Sequence, residues 1–180
     1  MLKSIELGSG NPQQDKVLEI AQTGMGFVPN LIKKLANSPV AAEAYLTLNE
    51  LFQKSSFSAA EQQLILLTIS RFHQCEYCVA AHSMLAEMNK LPKEIIEAIR
   101  NHDTLQDSKL AALHNLVEEM VIARGNPDET FLNAFFEAGY QPNQLLDIIL
   151  AISLKTLSNY TNHIAHTELD EMITPYQWES

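Results

Sequence analysis

Apolar residues recur at helical spacing along most of the chain, and this pattern constrains the fold more than any other feature. The segment after Asp107 and Ser108 is the clearest case, with apolar residues at Leu110, Leu113, Leu116, Val117, Met120 and Val121. Residues three and four positions apart share one face of an α-helix. No segment alternates apolar and polar residues, and no Asn-Gly or Asp-Gly pair marks a hairpin. The sequence therefore predicts an all-α protein.

Helix boundaries are indicated by capping residues and prolines. Ser58 is followed three positions later by Glu61, a capping-box pattern that predicts a helix starting at Ser58. Residues 8–12 are predicted as a loop, and a short helix around Asp15 is predicted to end at Gly24 and Gly26. Prolines in a first helical turn predict further starts, namely at Pro29, Pro39, Pro92 and Pro142.

The length of the chain favours one domain over residues 1–180, with no visible linker. Lys and Arg total 12 against 22 Asp and Glu, so the net charge is −10 and no basic run is present. Nucleic-acid and anionic membrane partners are therefore disfavoured. No apolar run reaches the roughly 20 residues that a membrane-spanning helix needs, and the N-terminus lacks a signal-peptide pattern. A cytoplasmic location is the resulting expectation.

The chemistry of the chain is concentrated in residues 74–82, which hold its only two cysteines. If this segment is helical, Cys75, Cys78 and His82 lie on one face within about 60°. In a cytosolic protein, a Cys-x-x-Cys pair is more often catalytic or metal-binding than a permanent disulfide. A helix N-terminus or a neighbouring imidazolium lowers a thiol pKa, and a second thiol nearby can close a disulfide. The motif therefore predicts a dithiol redox site in which His82 exchanges protons with Cys78.

Three alternatives compete with this prediction. In the first alternative, the cysteines are simply buried core residues. In the second, the disulfide state of the pair reports oxidant in a non-catalytic sensor or interaction module. The third is zinc bound by His73, Cys75, Cys78 and His82, although a structural site usually draws its ligands from two separate segments. The redox prediction itself needs no cofactor and no metal.

Other candidate residues have simpler explanations. His102 and His114 fall on predicted polar or mixed helix faces and are expected to face solvent. Asn162 and His163 near the end of the last helix are expected to cap or pack, with the active site or a subunit neighbour as the alternatives. The stripe of Met84, Leu85 and Met88 is predicted as core.

The motif and its preceding helix resemble a known family. The sequence SAAEQQ at residues 58–63, an apolar helix to Arg71, and CEYCVAAH at residues 75–82 are similar to the AhpD-like alkylhydroperoxidases of the carboxymuconolactone decarboxylase superfamily. The resemblance is dense over about residues 40–100. Residues 159–170 also resemble the closing segment of its peroxidase-related branch.

The resemblance implies an AhpD-like all-helical domain, with the cysteine pair at the N-terminal end of a core helix, assembled as homotrimers or hexamers. It implies an enzyme that reduces a hydroperoxide in antioxidant defence, with Cys78 attacking the peroxide, Cys75 resolving the intermediate and a dithiol donor restoring both thiols. His82 would relay protons with help from a glutamate on the preceding helix. Decarboxylases of the superfamily lack the cysteine pair, so that activity is disfavoured.

One position departs from the family pattern. The relay glutamate of the family lies twelve residues before the first cysteine, and that position holds Gln63. Glutamine does not gain or lose a proton in this role, although it can orient a water molecule. The nearest carboxylate is Glu61, which lies about 200° around the helix from Gln63. Glu61 is therefore a candidate for the relay and equally a candidate for the helix cap.

Overall fold

The computed structural model describes residues 2–179, and within them the chain forms nine α-helices and one short 3₁₀ helix, with no strand. The all-α prediction is confirmed. The helices are α1 (Pro12–Met25), α2 (Asn30–Leu35), α3 (Pro39–Gln53), α4 (Ala59–Phe72), α5 (Glu76–Met88), α6 (Lys93–Asn101), α7 (Ser108–Ile122), α8 (Glu129–Glu137) and α9 (Pro142–Ala165), followed by the 3₁₀ helix (Glu171–Tyr176). None of the helices in this part of the chain is long and apolar enough to cross a membrane.

The predicted capping signals place most helix starts correctly. Ser58 caps α4, and its hydroxyl accepts from the Glu61 amide while the Glu61 carboxylate accepts from the Ser58 amide. Asp107 caps α7. Pro39 and Pro142 occupy the first turns of α3 and α9. These signals involve residues a few positions apart, so they can be recognised from the sequence alone.

The start of α1 differs from the prediction. Pro12 opens the helix instead of ending a loop, because the Asn11 side chain accepts a hydrogen bond from the Gln13 amide at 3.0 Å and proline needs no amide partner in the first turn. Gly24 lies inside the helix. Gly26 ends it, with a left-handed φ of 81° that favours glycine.

Helix α4 is the centre of the fold. It packs against α5, α6, α7 and α9, and Leu64, Ile65, Leu67 and Ile69 are fully buried along it. A second apolar cluster lies around the cysteines and joins α5 to α1, α2 and α3. The site therefore lies between the central helix and the N-terminal helices.

A tight corner joins α4 to α5 and fixes the position of Cys75. The Cys75 amide donates to the Ser70 carbonyl at 3.0 Å, and the Gln74 amide donates to the Arg71 carbonyl at 2.9 Å. This pair of bonds is a Schellman motif, and it places Gln74 in the left-handed region at φ 54°. Cys75 then serves as the N-cap residue of α5.

His114 does not face solvent as the sequence predicted. It is 7% exposed, and its Nδ1 lies 2.8 Å from the Thr68 hydroxyl. Burial lowers the pKa of His114 to about 4. The prediction was wrong because α7 packs its His114 face against α4, and the resulting polar pair is satisfied within the core. His102 is exposed, as expected, at the C-terminal end of α6.

Candidate active site

The two thiols lie together at the N-terminal end of α5. Cys75 is the cap residue and Cys78 lies in the first turn; both are free, and they are 1% and 2% exposed. The Asn162 side-chain amide of α9 donates to the Cys78 sulfur at 3.2 Å and approaches the Cys75 sulfur at 3.7 Å. A helix N-terminus and an amide donor both favour a negative charge on sulfur.

The surroundings of the two thiols favour the thiolate form of Cys78 and the protonated form of Cys75. Burial by itself raises the pKa of Cys78, but the hydrogen bond from Cys75, the positive charge of Lys155 and the Asn162 amide together lower it. The pKa of Cys75 is raised, first by its hydrogen bond to Cys78 and then by burial. Cys78 is therefore the thiolate of the pair, and Cys75 keeps its proton.

A cavity of about 520 Å³ opens beside Cys78. Cys78, His82 and Lys155 line it, whereas Cys75 does not. Most of the remaining wall is apolar and comes from the N-terminal helices, α5 and the 3₁₀ helix. Its large apolar residues include Met25, Phe27, Leu31, Ile32, Tyr45, Phe52, Leu66, Tyr77 and Ile173. A small apolar molecule in this cavity would contact Cys78.

The methionine stripe of α5 also belongs to the cavity wall. Met84, Leu85 and Met88 line it, and Met88 is 68% exposed. The predicted core assignment was wrong for Met88, whereas Met84 packs against the second apolar cluster where that cluster borders the cavity. Helical spacing identifies the apolar face but does not tell a filled core from an open cavity.

His82 is held by groups from two other helices. Its Nε2 lies 2.9 Å from the Lys155 Nζ, and its Nδ1 lies 3.0 Å from the Gln63 Oε1. Because an ammonium group can only donate, Nε2 accepts and Nδ1 carries the proton that Gln63 accepts. Burial and then the charge of Lys155 lower the pKa of His82 well below its ordinary value. His82 is therefore a neutral imidazole.

Gln63 and Glu61 have separate positions. Gln63 faces the cavity and contacts His82, the place that the family resemblance assigns to a glutamate. Glu61 accepts from the Ser58 amide and hydroxyl and from the Tyr140 hydroxyl at 3.0 Å. It does not line the cavity and makes no hydrogen bond to His82. The structure confirms the capping box, and Cys78 and His82 line the cavity without Glu61.

Sequence reasoning missed Lys155. This lysine is 1% exposed and lies in the middle of α9. A signal was present, because Lys155 falls four positions after Ala151 and seven before Asn162 on the buried face of that helix. Asn162 also faces the thiols and not a helix end, while its neighbour His163 is exposed.

Hydrogen bonds from the surrounding helices fix α5. The Tyr77 hydroxyl donates to the Asp170 carboxylate, which also accepts from the Asn30 amide at 3.1 Å. At the end of α4, the His73 Nδ1 lies 3.0 Å from the Asn159 Oδ1. These contacts tie α5 to the C-terminal segment and through it to α2, and they tie the end of α4 to α9.

The four alternative zinc ligands are not assembled. His73 faces Asn159, and the Nε2 of His82 faces the ammonium group of Lys155. A buried ammonium group beside the imidazole opposes a second cation there. Among residues 2–179, no group of three or more His, Cys, Asp or Glu side chains is arranged to hold a metal ion.

Comparisons with known proteins identify the fold and match part of the chain to a family. The model of the carboxymuconolactone decarboxylase family matches residues 39–116, which include both cysteines and His82. The solved alkylhydroperoxidase AhpD core structure of a peroxidase-related protein from Ralstonia eutropha JMP134 is similar, with 19% identity and a TM-score of 0.81 over 95% of this chain and 92% of that chain. The chain therefore has an AhpD-like fold, and its residues 39–116 are similar to the carboxymuconolactone decarboxylase family.

Other AhpD-like structures show the range of proteins that share this fold. A peroxidase-related protein from Silicibacter sp. TM1040 is 18% identical, with a TM-score of 0.77 over 96% of this chain and 94% of that chain. The debrominase Bmp8 is 16% identical, with a TM-score of 0.80 over 98% and 95%. A cysteine-to-alanine variant of Bmp8 has been solved in complex with 2,3,4-tribromopyrrole. Among curated proteins, none matches the sequence of this chain. Proteins of this fold therefore do not share a single activity.

Proposed function

We propose that this protein is a thiol-dependent peroxidase that reduces hydroperoxides through Cys78 and Cys75. The observation that carries the proposal is the difference between the two thiols. Cys78 lines the cavity and has the lowered pKa, whereas Cys75 lies behind it with a raised pKa. A nucleophile needs both access and thiolate character, and a resolving thiol needs neither at the start of the reaction.

The proposed cycle follows from these two roles. The Cys78 thiolate attacks the peroxide, becomes a sulfenic acid and releases an alcohol. The Cys75 thiol condenses with the sulfenic acid, a water molecule leaves, and a disulfide forms. A dithiol donor then reduces the disulfide by exchange. We place the protein in the cytoplasm, where reduced dithiols are maintained.

Rapid-mixing measurements with an organic hydroperoxide test the proposal. The unmodified chain should lose two thiols per peroxide, and it should consume many equivalents when a dithiol such as dithiothreitol is present. Cys78→Ser should abolish peroxide consumption. Cys75→Ser should stop at a sulfenic acid that dimedone traps. If Cys78→Ser reacts as fast as the unmodified chain, the assignment of the nucleophile is wrong.

The cavity favours catalysis over the sensor or interaction alternative. A sensor needs an exposed thiol but no enclosed apolar space for a substrate, and here about 520 Å³ of largely apolar cavity lies against Cys78. The sensor alternative predicts one slow oxidation per chain and no turnover with any dithiol donor. Measuring peroxide consumed per chain separates the two.

A second candidate function is reductive removal of bromide from an aromatic ring. The aromatic side chains of Phe27, Tyr45, Phe52 and Tyr77 in the cavity wall favour it, because flat rings pack well against one another. In this reaction the two thiols become a disulfide while an aryl bromide becomes the arene and hydrogen bromide. Bromide release from a bromopyrrole, measured beside hydroperoxide reduction, decides which substrate is preferred.

We also propose that the protein is a homo-oligomer, a homotrimer or hexamer. Helix α9 exposes several large apolar residues, with Leu146 and Ile164 69% and 68% exposed and Ile149 and Tyr160 about half exposed. Exposed apolar faces of this kind are typical of subunit contacts. Light scattering should give the mass of three or six chains, and Ile164→Glu should lower it. A monomeric mass for the unmodified chain would contradict the proposal.

A further inference from the structure

Lys155 is a buried ammonium group without a carboxylate partner. Its side chain is 1% exposed, and among residues 2–179 no carboxylate forms an ion pair with it. Of the described residues, Asp170 is the one carboxylate on the cavity wall, and it is bonded to the Tyr77 hydroxyl and the Asn30 amide. A buried charge is costly unless a counter-charge or hydrogen bonds compensate it. A negative charge on another nearby group would therefore stabilise Lys155.

The thiolate of Cys78 is the anion that can balance the charge of Lys155. Both residues line the same cavity wall, and the charge of Lys155 acts directly on the Cys78 thiol. His82 receives a hydrogen bond from Lys155 at 2.9 Å but is neutral. The titratable groups that face this pair from the neighbouring elements are Tyr45 on α3, His73 at the end of α4, and Cys75 and His82 on α5. None of them is a carboxylate.

We propose that Lys155 is the acid of the reaction: it holds Cys78 as a thiolate and then gives its proton to the leaving alkoxide. The proposal rests on the peroxidase function argued above. Both parts follow from one arrangement, because Lys155 lies beside the nucleophile and lines the cavity that would receive the substrate. Lys155 would also take the place of the glutamate in the proton relay that the family resemblance implies, a role that Gln63 does not perform.

The step is balanced without a further reactant. The sulfur–oxygen bond forms as the oxygen–oxygen bond breaks, so the Cys78 thiolate and ROOH become a sulfenic acid and RO⁻. The ammonium group of Lys155 gives a proton to RO⁻, yielding ROH and a neutral amine. The Cys75 thiol and the sulfenic acid then become a disulfide and water. Negative sulfur and positive nitrogen disappear together, so the buried site is neutral before and after oxidation.

Alkylation by iodoacetamide tests the counter-charge without peroxide. In Lys155→Met, the pH at which Cys78 becomes reactive should rise, and alkylation near neutral pH should fall by about tenfold for each unit of that shift. Lys155→Arg keeps the charge and should keep the profile of the unmodified chain. Lys54→Met, at an exposed lysine that does not line the cavity, is the matched control. An unchanged profile in Lys155→Met would overturn the proposal.

Oxidation by cumene hydroperoxide tests the acid. Arginine does not release its proton in proteins, so Lys155→Arg should oxidise at least about tenfold more slowly while its alkylation is retained. In Lys155→Ala, methylammonium should restore the rate and tetramethylammonium, a cation without a proton to give, should not. Unchanged oxidation in Lys155→Arg would overturn the acid role.

Two further results keep the inference separate from the proposed function and from folding. If the unmodified chain does not reduce the hydroperoxide but Lys155→Met still shifts the alkylation profile, the peroxidase proposal fails and the counter-charge stands. If the Lys155 variants do not fold, proton uptake by the unmodified chain tests the acid role of Lys155. Because Lys155 supplies the proton, no proton should be taken from solution in the fast phase of oxidation. Uptake of one proton per disulfide in that phase would overturn the proposal.

Discussion

At the scale of single residues, the reactivity of the site depends on which groups surround the Cys78 sulfur. The Asn162 amide, the Cys75 thiol and Lys155 all favour its anion, and together they outweigh the effect of burial. His82 has no hydrogen bond to either sulfur; it lies between Gln63 and Lys155. The imidazole therefore orients the ammonium group, and we expect its own protonation to matter little near neutral pH.

Asn162→Ala tests the amide at this scale. A hydrogen bond to a charged group contributes about 1.5–3 kcal/mol, so its loss should raise the pKa of Cys78 by roughly one to two units. The ultraviolet absorbance of the thiolate, followed against pH, measures this shift. Asn143→Ala on the same helix removes a hydrogen bond to Ser56 and is the control. An unchanged titration in Asn162→Ala would show that the amide does not stabilise the thiolate.

Gln63→Glu tests the departure from the family pattern. A carboxylate 3.0 Å from the Nδ1 of His82 should offset the charge of Lys155 across the ring and raise the pKa of both His82 and Cys78. We expect the alkylation profile of Cys78 to move up by about one pH unit. Gln63→Ala separates the added charge from the lost amide. A faster peroxide reaction in Gln63→Glu would instead indicate that a carboxylate relay limits the rate.

At the scale of elements, two helix ends position the reactive groups. The Schellman motif at Gln74 ends α4 and presents Cys75 as the cap of α5, so the thiols meet at a helix N-terminus. The capping box of Ser58 and Glu61 begins α4 at its other end, and Gln63 follows on the face towards His82. Each end is specified by a few adjacent residues.

Glu61→Gln tests the role of Glu61 as a cap. Burial raises the pKa of this carboxylate, but the hydrogen bonds from Ser58 and Tyr140 and the charge of Lys109 outweigh it, so the net shift is downward. A lowered pKa in the folded state stabilises the fold above the ordinary pKa, and this contribution is lost as the pH falls through the lowered value. Glu61→Gln should therefore cost about 1 kcal/mol at neutral pH and little in acid.

Urea unfolding at the two pH values measures this difference, with the exposed Glu43→Gln as the control. The same variant decides the proposed relay. We expect its hydroperoxide rate to stay within about twofold of the unmodified chain, because a general acid or base contributes roughly a hundredfold or more. A much larger loss of rate than of stability would assign Glu61 to the relay.

At the scale of the whole molecule, stability should depend on the redox state. Oxidation removes the thiolate and keeps Lys155 buried as a neutral amine, which costs free energy at neutral pH because the same lysine is protonated in the unfolded chain; a disulfide across so short a loop adds little. The reduced protein should therefore be the more stable form. A difference of about 1–2 kcal/mol corresponds to a melting temperature several degrees higher for a chain of this size.

Calorimetry of the reduced and oxidised protein measures the effect. In Lys155→Met the difference should disappear, because no lysine has to lose its proton in the oxidised form. The same argument predicts a reduction potential above that of thioredoxin, about −270 mV, since a stabilised reduced form makes the pair more oxidising. A higher melting temperature for the oxidised form would contradict the Cys78–Lys155 pairing.

The sequence by itself determined the helices and the reactive motif of this protein. Caps at Ser58 and Asp107, the helical periodicity, and the spacing of Cys75, Cys78 and His82 are all set by residues within a few positions of one another. Such features depend on local hydrogen bonds and on the geometry of one helix. Because a capping box involves residues only three positions apart, the capping role of Glu61 could be predicted from the sequence.

Only the tertiary structure decided what surrounds the thiols. Lys155 and Asn162 lie 73 and 84 positions after the residues that they contact, on a helix that packing alone brings to the cysteines. Whether a buried face meets a core, as at His114, or a cavity, as at Met84, also depends on the neighbouring helix. Burial strengthens the effect of the Lys155 charge on the neighbouring groups, because the protein interior screens the charge far less than water does.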